Sequence, residues 1–341
     1  MNNTVLNLTK SFGANSSTSM NDTDHAHAES SEEFNSVVLP ILYTFVCIVG
    51  LLGNGLVIYI MYLKKQSRNI TDIYILNLAI ADFIFVAMMP VWTTSVALKR
   101  WIFGQAICKL ASGCTYFHLY ASVFFLTAMS VDRFFAVVMH NTIKRTKFNA
   151  TVLVIIIWMV STGLGLLPLY FRNVVEHETE GVRKCDWTFE SENKSHHNWF
   201  IVYFVSRSFV GFVIPTIIIV ISYSMIAFFL QTREAKGKLT AQCQDRATRM
   251  VLVVTTVFLV CWLPNQFSNF IYFIQSLNLI RAPNPPDLIH YYVHMFTTCL
   301  AWIHSCMNPI LYAFMREDMR LKLTEIMNKR RCCEDTRCWP H

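Results

Sequence analysis

Apolar residues in this chain come in long, nearly unbroken runs, not in the three-and-four spacing of an amphipathic helix or the alternation of a half-buried strand. The runs lie at 37–63, 71–98, 106–139, 150–171, 199–230, 249–275 and 288–314. Each holds at least the roughly twenty residues that carry a helix across a bilayer. Several exceed one bilayer thickness, which tilt and extension into the aqueous layers absorb. The pattern predicts an all-α membrane protein, a seven-transmembrane helix bundle over 37–314. Composition agrees: 54% of the chain is hydrophobic and only 15% is charged, against about a quarter charged in soluble domains.

Segment 1–36 is rich in Asn, Ser, Thr, Asp and Glu and reads as a disordered tail. It lacks the apolar region of a cleavable signal peptide, so the first run is expected to act as its own insertion signal. Basic residues set the orientation. They concentrate beside Lys64, Lys65 and Arg68, around Lys144, Arg145 and Lys147, and after the last run. Basic connections face the cytoplasm, which puts the N-terminus outside. Acceptor sequons at Asn2, Asn7, Asn15 and Asn21 in the tail, and at Asn193 in the fourth connection, fall on that outer side. No internal repeat and no paired Gly-broken runs of the transporter kind are present.

The chain has 11 cysteines. Most sit within the runs, as small apolar residues do. Cys108 and Cys185 fall on the oxidising side, at the start of the third run and in the long connection after the fourth. A disulfide between them would pin that connection across the bundle mouth. Cys332, Cys333 and Cys338 follow Lys329, Arg330 and Arg331 in the cytosolic segment 315–341 and read as palmitoylation sites.

Polar residues inside the runs carry the chemistry. Asn54, Asp82, Ser122, Ser305 and Asn308 come from four different runs. A lone buried carboxylate costs several kcal/mol, so Asp82 requires partners or an ion. Two readings stand side by side: hard oxygen ligands around a small cation, or an inter-helix hydrogen-bond network. At the inner end of the third run, the charged cluster Asp132-Arg133-Phe134 needs a partner, a water cavity or a task. Pro215, Pro264 and Pro309 each remove a helical hydrogen bond and create a bend or weak point.

These residues resemble the rhodopsin-like (class A) G-protein-coupled receptors across 37–330. The match runs through Gly53-Asn54, Leu78-Ala79-Ile80-Ala81-Asp82, Asp132-Arg133-Phe134 and Trp158. It continues through Pro215 with Tyr223, Cys261-Trp262-Leu263-Pro264 and Asn308-Pro309-Ile310-Leu311-Tyr312. The resemblance implies a short cytoplasmic amphipathic helix 8 after the last span. It implies a sodium ion at Asp82, Ser122, Ser305 and Asn308, with no other cofactor. Trp262 becomes a toggle, with a packing switch through Pro215, Val123 and Phe258. Asp132 and Arg133 become the contact with a heterotrimeric G protein, and Tyr223 and Tyr312 swing inward on activation, hinged by Pro264 and Pro309. Phe134 replaces the family's usual Tyr, and Gln244 beside Asp245 stands where a locking Glu is frequent.

The ligand narrows by exclusion. Thr115 stands where amine receptors carry Asp, 282–315 has no Lys for an opsin Schiff base, and the second disulfide of chemokine receptors has no cysteines. What remains is a peptide receptor. Its outer loop bears Glu176, Glu178, Glu180, Asp186, Glu190 and Glu192, which would steer a basic peptide. The segments Tyr120–Val131, Cys261–Gln266, Trp101–Gly104 and Gly211–Pro215 resemble the relaxin-3 and insulin-like peptide 5 receptor branch. That resemblance implies a pocket of Trp92, Thr115, Arg207, Trp262 and Gln266, with Arg207 taking a peptide carboxylate and the G protein being of the inhibitory type. Ser95 and Lys99 occupy places where the branch carries acids. Other readings are a receptor for another basic peptide of the angiotensin or bradykinin type, a scavenger, or, from a different class, a transporter or channel. Thr324 and Thr336 are the only hydroxyl residues after Phe314, which predicts weak arrestin recruitment. Membrane lipid is an expected partner; an enzymatic role and nucleic-acid binding are not expected.

Overall fold

Hydrocarbon offers no hydrogen bonds, so each spanning segment must satisfy its own backbone, and a helix does this within one segment. The computed structural model describes residues 22–139, 145–177, 181–188, 194–234, 242–276 and 288–335. Its helices are α1 (Asp22–Leu63), α2 (Ile70–Ala97), α3 (Gly104–Val137) and α4 (Lys147–Gly165), the last continued by a short turn Leu167–Phe171. Next comes a two-stranded antiparallel hairpin, β1 (Arg172–His177) and β2 (Val182–Trp187). The rod α5 comprises Lys194–Val205, a π-helical stretch Ser206–Val213 and Ile214–Glu234. The chain then forms α6 (Gln242–Ser276), α7 (Leu288–Met315) and α8 (Glu317–Asp335).

Among the described residues, six helices are long and apolar enough to cross a membrane. The seventh, α7, has 28 residues and carries His294, His304 and Asn308 among its apolar residues. Large side chains such as Met159, at 72% exposure, and Phe228, at 73%, point away from the bundle. Surfaces of that kind are rare on soluble monomers and belong against lipid.

Local sequence explains the boundaries. Asn69 caps α2 reciprocally: its side chain accepts from the Asp72 N–H at 2.9 Å, and the Asp72 carboxylate accepts from the Asn69 N–H at 3.0 Å. The Thr146 hydroxyl caps α4 by accepting from the Asn149 N–H at 3.2 Å. Glu317 and Asp318 open α8, where acids favour the positive end of the helix dipole. Two features depart from the expectations. Helix α1 begins at Asp22, inside the tail expected to be disordered; early acids and the Ala residues at 26 and 28 are favourable for a helix start. The long fourth connection forms a hairpin in which β-branched Val174, Val175 and Val182 sit on paired strands.

The third helix is the central post: α3 packs against α2, α4, α5 and α6 and against β1. Its close approach to α4 depends on Gly165. A Cβ there would lie 3.1 Å from the backbone N and Cα of Phe117. Nearby, Trp158 stacks on Phe117 with centroids 5.4 Å apart and donates its indole N–H to Asn77 Oδ1 at 2.9 Å, joining α2, α3 and α4.

Gly165→Val should push α4 off α3, because the obstructing atoms are backbone. Overpacking of this kind typically costs about 1–3 kcal/mol. Purified protein carrying the substitution is expected to melt several degrees below the parent in a thiol-dye unfolding assay, whereas Gly163→Val, at a position with open space, should not show this loss.

Candidate functional site

The polar interior forms three tiers, beginning at the mouth. Cys108 on α3 and Cys185 on β2 are joined by a disulfide with a Cα–Cα distance of 5.6 Å. Cys185 pairs in register with Val174, so the bond holds the middle of the hairpin. Gln105 reinforces it by donating to Asn173 Oδ1 at 2.6 Å and accepting from the Val174 N–H at 2.8 Å. Trp101 donates its backbone N–H to Arg183 O at 2.6 Å and packs 5.6 Å from Trp92. The guanidinium of Arg172 lies over both Trp187, at 4.6 Å, and Trp92, at 5.9 Å. Trp92 therefore belongs to an aromatic and cationic wall beneath the hairpin, with its indole N–H buried and without a protein partner.

Deeper lies Arg207. The π-helical stretch Ser206–Val213 inserts extra rotation just before Pro215, the residue that cannot donate a helical hydrogen bond. Gly211 in the same stretch lets α5 close on Tyr120, 3.1 Å from where a Cβ would stand. Arg207 faces α6 and donates to Asn269 Oδ1 at 2.6 Å and to Asn265 Oδ1 at 3.0 Å. Asn265 passes the link on by donating to Thr298 Oγ1 at 3.0 Å on α7. The guanidinium also sits 5.9 Å from the Tyr116 ring, whose hydroxyl bonds that of Tyr203. Among the described residues no carboxylate pairs with Arg207, and its Nε has no partner.

The other expected pocket residues divide. Trp262 and Gln266, one turn apart on α6, are both buried, and the indole N–H of the first and both amide atoms of the second lack protein partners. Thr115 donates its hydroxyl to Ala111 O at 2.9 Å, within its own helix. Trp262 lies 5.9 Å from Phe258, which contacts Phe212 at 6.4 Å and the His304 ring edge-on at 5.0 Å.

The middle tier centres on Asp82. Its Oδ2 accepts from Asn308 Nδ2 at 2.8 Å, and its Oδ1 accepts from Ser122 Oγ at 3.3 Å. The same Oδ1 stands 2.8 Å from His118 Nε2, and Ser305 Oγ lies 3.1 Å from that nitrogen. Asn54 donates to Ser305 O and Gly50 O, both at 3.0 Å. The five residues anticipated from the sequence thus meet across α1, α2, α3 and α7. A sixth, His118, stands between them. The lone histidine on an apolar stretch of α3 gave no periodic signal; its depth, level with Asp82, was the one clue.

The inner tier is a charge network. Asp132 Oδ2 accepts from Arg133 at 2.7 Å, and Arg133 also bonds the Thr71 hydroxyl. Arg145, in the connection before α4, donates to both oxygens of Asp132, each at 2.7 Å from Nη2. Beside it, buried Asp72 lies 2.6 Å from Arg316 and 3.3 Å from Lys64, and Lys64 also reaches Asp318 at 2.6 Å. Burial would raise the Asp318 carboxyl, but hydrogen bonds and charge from Arg316 and Lys64 outweigh it and hold the group well below the usual carboxylate range. That network fastens α8 to α2 and to the end of α1. Tyr223 lies beside Ser130 and Thr255, and the Tyr312 hydroxyl is buried without a protein partner. The backbone of Gln244 and Asp245 lies in α6, but their side chains fall outside the described residues, as do those of Cys332 and Cys333. Asn2, Asn7, Asn15, Asn21, Asn193, Thr336 and Cys338 lie wholly outside them.

Comparison with known proteins gives one consistent picture. Residues 53–312 match the family described as 7 transmembrane receptor (rhodopsin family). The chain is 32% identical over 295 residues to the type-1 angiotensin II receptor B of Rattus norvegicus, covering 85% of this chain and 80% of that protein. It is 32% identical over 301 residues to the type-1 angiotensin II receptor of Ovis aries, and 31% identical to that of Homo sapiens, with the same coverage.

Proposed function

The chain belongs to the rhodopsin family of seven-transmembrane receptors, and from that premise we propose that it binds an extracellular peptide hormone whose carboxylate is received by Arg207. It is a multi-pass protein of the plasma membrane and a signalling receptor, not an enzyme. The carrying observation is a guanidinium below the mouth that donates to two neutral amides and lies beside the Tyr116 ring, with no carboxylate paired to it among the described residues. A cation held there without a counter-charge is matched by a carboxylate, which can take two parallel N–H bonds. Trp92, Trp262 and Gln266 offer apolar area and polar atoms without protein partners in the same outer half of the bundle.

Two peptide classes fit this chemistry. Resemblance in the segments around Tyr120–Val131 and Cys261–Gln266 favours a relaxin- or insulin-like peptide. The relatives of the angiotensin II type favour a short basic peptide as the second reading. Signal output is assigned to a heterotrimeric G protein of the inhibitory type. Pressure on Trp262 would pass through Phe258 to the core, bending α6 at Pro264 and α7 at Pro309, with Tyr223 and Tyr312 moving inward and Arg133 leaving Asp132 for the partner. Thr324 donates its hydroxyl to Arg320 O at 3.0 Å within α8, and such sparse phosphate acceptors support weak arrestin recruitment.

Arg207→Ala should weaken peptide binding by about 1.5–3 kcal/mol, the range for hydrogen bonds to a charged group. A peptide amidated at its C-terminus should bind parent and variant alike; amidation without cost in the parent would end the carboxylate assignment. Displacement of one labelled peptide class by the other, read with suppression of cyclic AMP, separates the two ligand readings.

A second expectation concerns output. When Arg133 leaves Asp132, Arg145 keeps that carboxylate compensated; without Arg145 the departure exposes a bare buried charge. Arg145→Ala should therefore lower basal and agonist-driven nucleotide exchange at unchanged surface expression. Asp132→Asn, which frees Arg133, should raise the basal rate. Equal or raised exchange in Arg145→Ala would refute the compensating role.

A further inference from the structure

The Asp82 centre contains the oxygens that a sodium ion would need, but their arrangement does not fit one. Asp82 Oδ1, Ser122 Oγ and Ser305 Oγ do not turn toward a common open point. Oδ1 takes the Ser122 hydroxyl at 3.3 Å and faces His118 Nε2 at 2.8 Å, and Ser305 Oγ faces the same nitrogen at 3.1 Å. An ionised carboxylate at that distance requires a hydrogen on Nε2. The point that Asp82 Oδ1 and Ser305 Oγ both face is therefore taken by an N–H donor, which repels a cation. With its lone pair turned inward instead, the ring would be an imidazole ligand, a type suited to zinc or copper, not to hard ions. The remaining carboxylate oxygen already accepts from Asn308 Nδ2 at 2.8 Å.

The ring has no room to swing aside. His118 is 1% exposed, and Phe85 stacks on it with centroids 4.2 Å apart and planes 11° apart. Two oxygens in the region lack partners, Asn54 Oδ1 and Asn308 Oδ1. A hard cation of this size takes roughly six to eight oxygens at about 2.3–2.6 Å, the range known for calcium. Asp82 Oδ1 and Ser305 Oγ, both turned to His118, are withheld from that set. The next side chain on α7, fully buried His304, adds a second imidazole and no oxygen.

We propose that His118 stands in place of the ion: its ring N–H is the resident partner of Asp82, and this residue makes the centre indifferent to sodium. The inference goes beyond the ligand assignment and holds whichever peptide binds. Position 118 becomes a selectivity determinant, because one side chain decides whether Asp82 Oδ1 is occupied by an internal donor or by an ion from solution.

The test uses the full-length receptor purified in detergent, melted in sodium chloride and in choline chloride at equal ionic strength. The parent should melt at the same temperature in both. His118→Asn removes the ring, releases Asp82 Oδ1 and Ser305 Oγ and supplies an amide oxygen. It should melt several degrees higher in sodium chloride than in choline chloride. Adding Asp82→Asn to it should abolish that difference. If the Asn variant does not fold, His118→Ala provides the same comparison. A parent receptor stabilised by sodium over choline would overturn the proposal. So would folded variants at position 118 that remain indifferent to sodium. Because no peptide enters the measurement, failure here is separate from failure of the ligand assignment.

Discussion

A carboxylate at the middle of a bilayer-spanning bundle is the constraint from which the rest follows. Removing Asp82 from water costs several kcal/mol unless its oxygens are filled by good donors. The chain meets that demand with donors from α3 and α7: Ser122, His118 and Asn308. Asn54 ties α1 into the same centre through the Ser305 carbonyl. Four helices are thereby fixed at one depth by directional bonds, which apolar packing against lipid cannot do, since lipid tails are as apolar as the side chains they meet. Pro309, which interrupts the hydrogen bonding of α7, directly follows Asn308 in this centre, so motion of α7 has to work around it.

How much of this was legible in the sequence depended on what kind of signal each element leaves. The spans were readable because an apolar run of about twenty residues matches the thickness of a bilayer. The Cys108–Cys185 bond was readable because topology left those two cysteines on the oxidising side. The convergence of Asn54, Asp82, Ser122, Ser305 and Asn308 was readable because buried polar residues must find one another. His118 was not, since a single histidine among apolar neighbours has no periodicity and its partner is 36 positions away. The π-helical stretch was equally hidden: Gly211 and Pro215 announced an irregularity, but not that it would turn Arg207 toward Asn265 and Asn269. The hairpin was masked by its charges, because its strands are short and the disulfide and Trp101 hold it in place.

The cytoplasmic end shows the same economy of charge. Asp72 serves at once as capping residue of α2 and as counter-ion to Lys64 and Arg316. Removing it would leave Asp318 alone to balance both cations at the foot of α1 and the start of α8. Asp132 likewise holds two guanidiniums, one destined to leave and one positioned to stay. Each acid thus fixes a backbone boundary or an interhelical joint while also setting a local charge balance.

The two part-buried arginines, one toward each face, make the logic of a receptor explicit. Arg133 has a carboxylate partner: Asp132 holds it and Thr71 accepts from it, while Arg145 shares the same carboxylate from the other side. Among the described residues Arg207 has no carboxylate partner, and its guanidinium donates to two amides. A neutral amide satisfies hydrogen bonds but leaves the charge, so the outer arginine retains an electrostatic demand that an arriving carboxylate can meet. Its amide contacts are both on α6, the helix that carries Trp262 and Pro264. A carboxylate that draws Arg207 away from Asn265 and Asn269 would loosen the outer half of α6 from α5 at the moment of binding. The outer cation is therefore tied to the hinged helix, and the inner one, held by Asp132, waits on that helix to move.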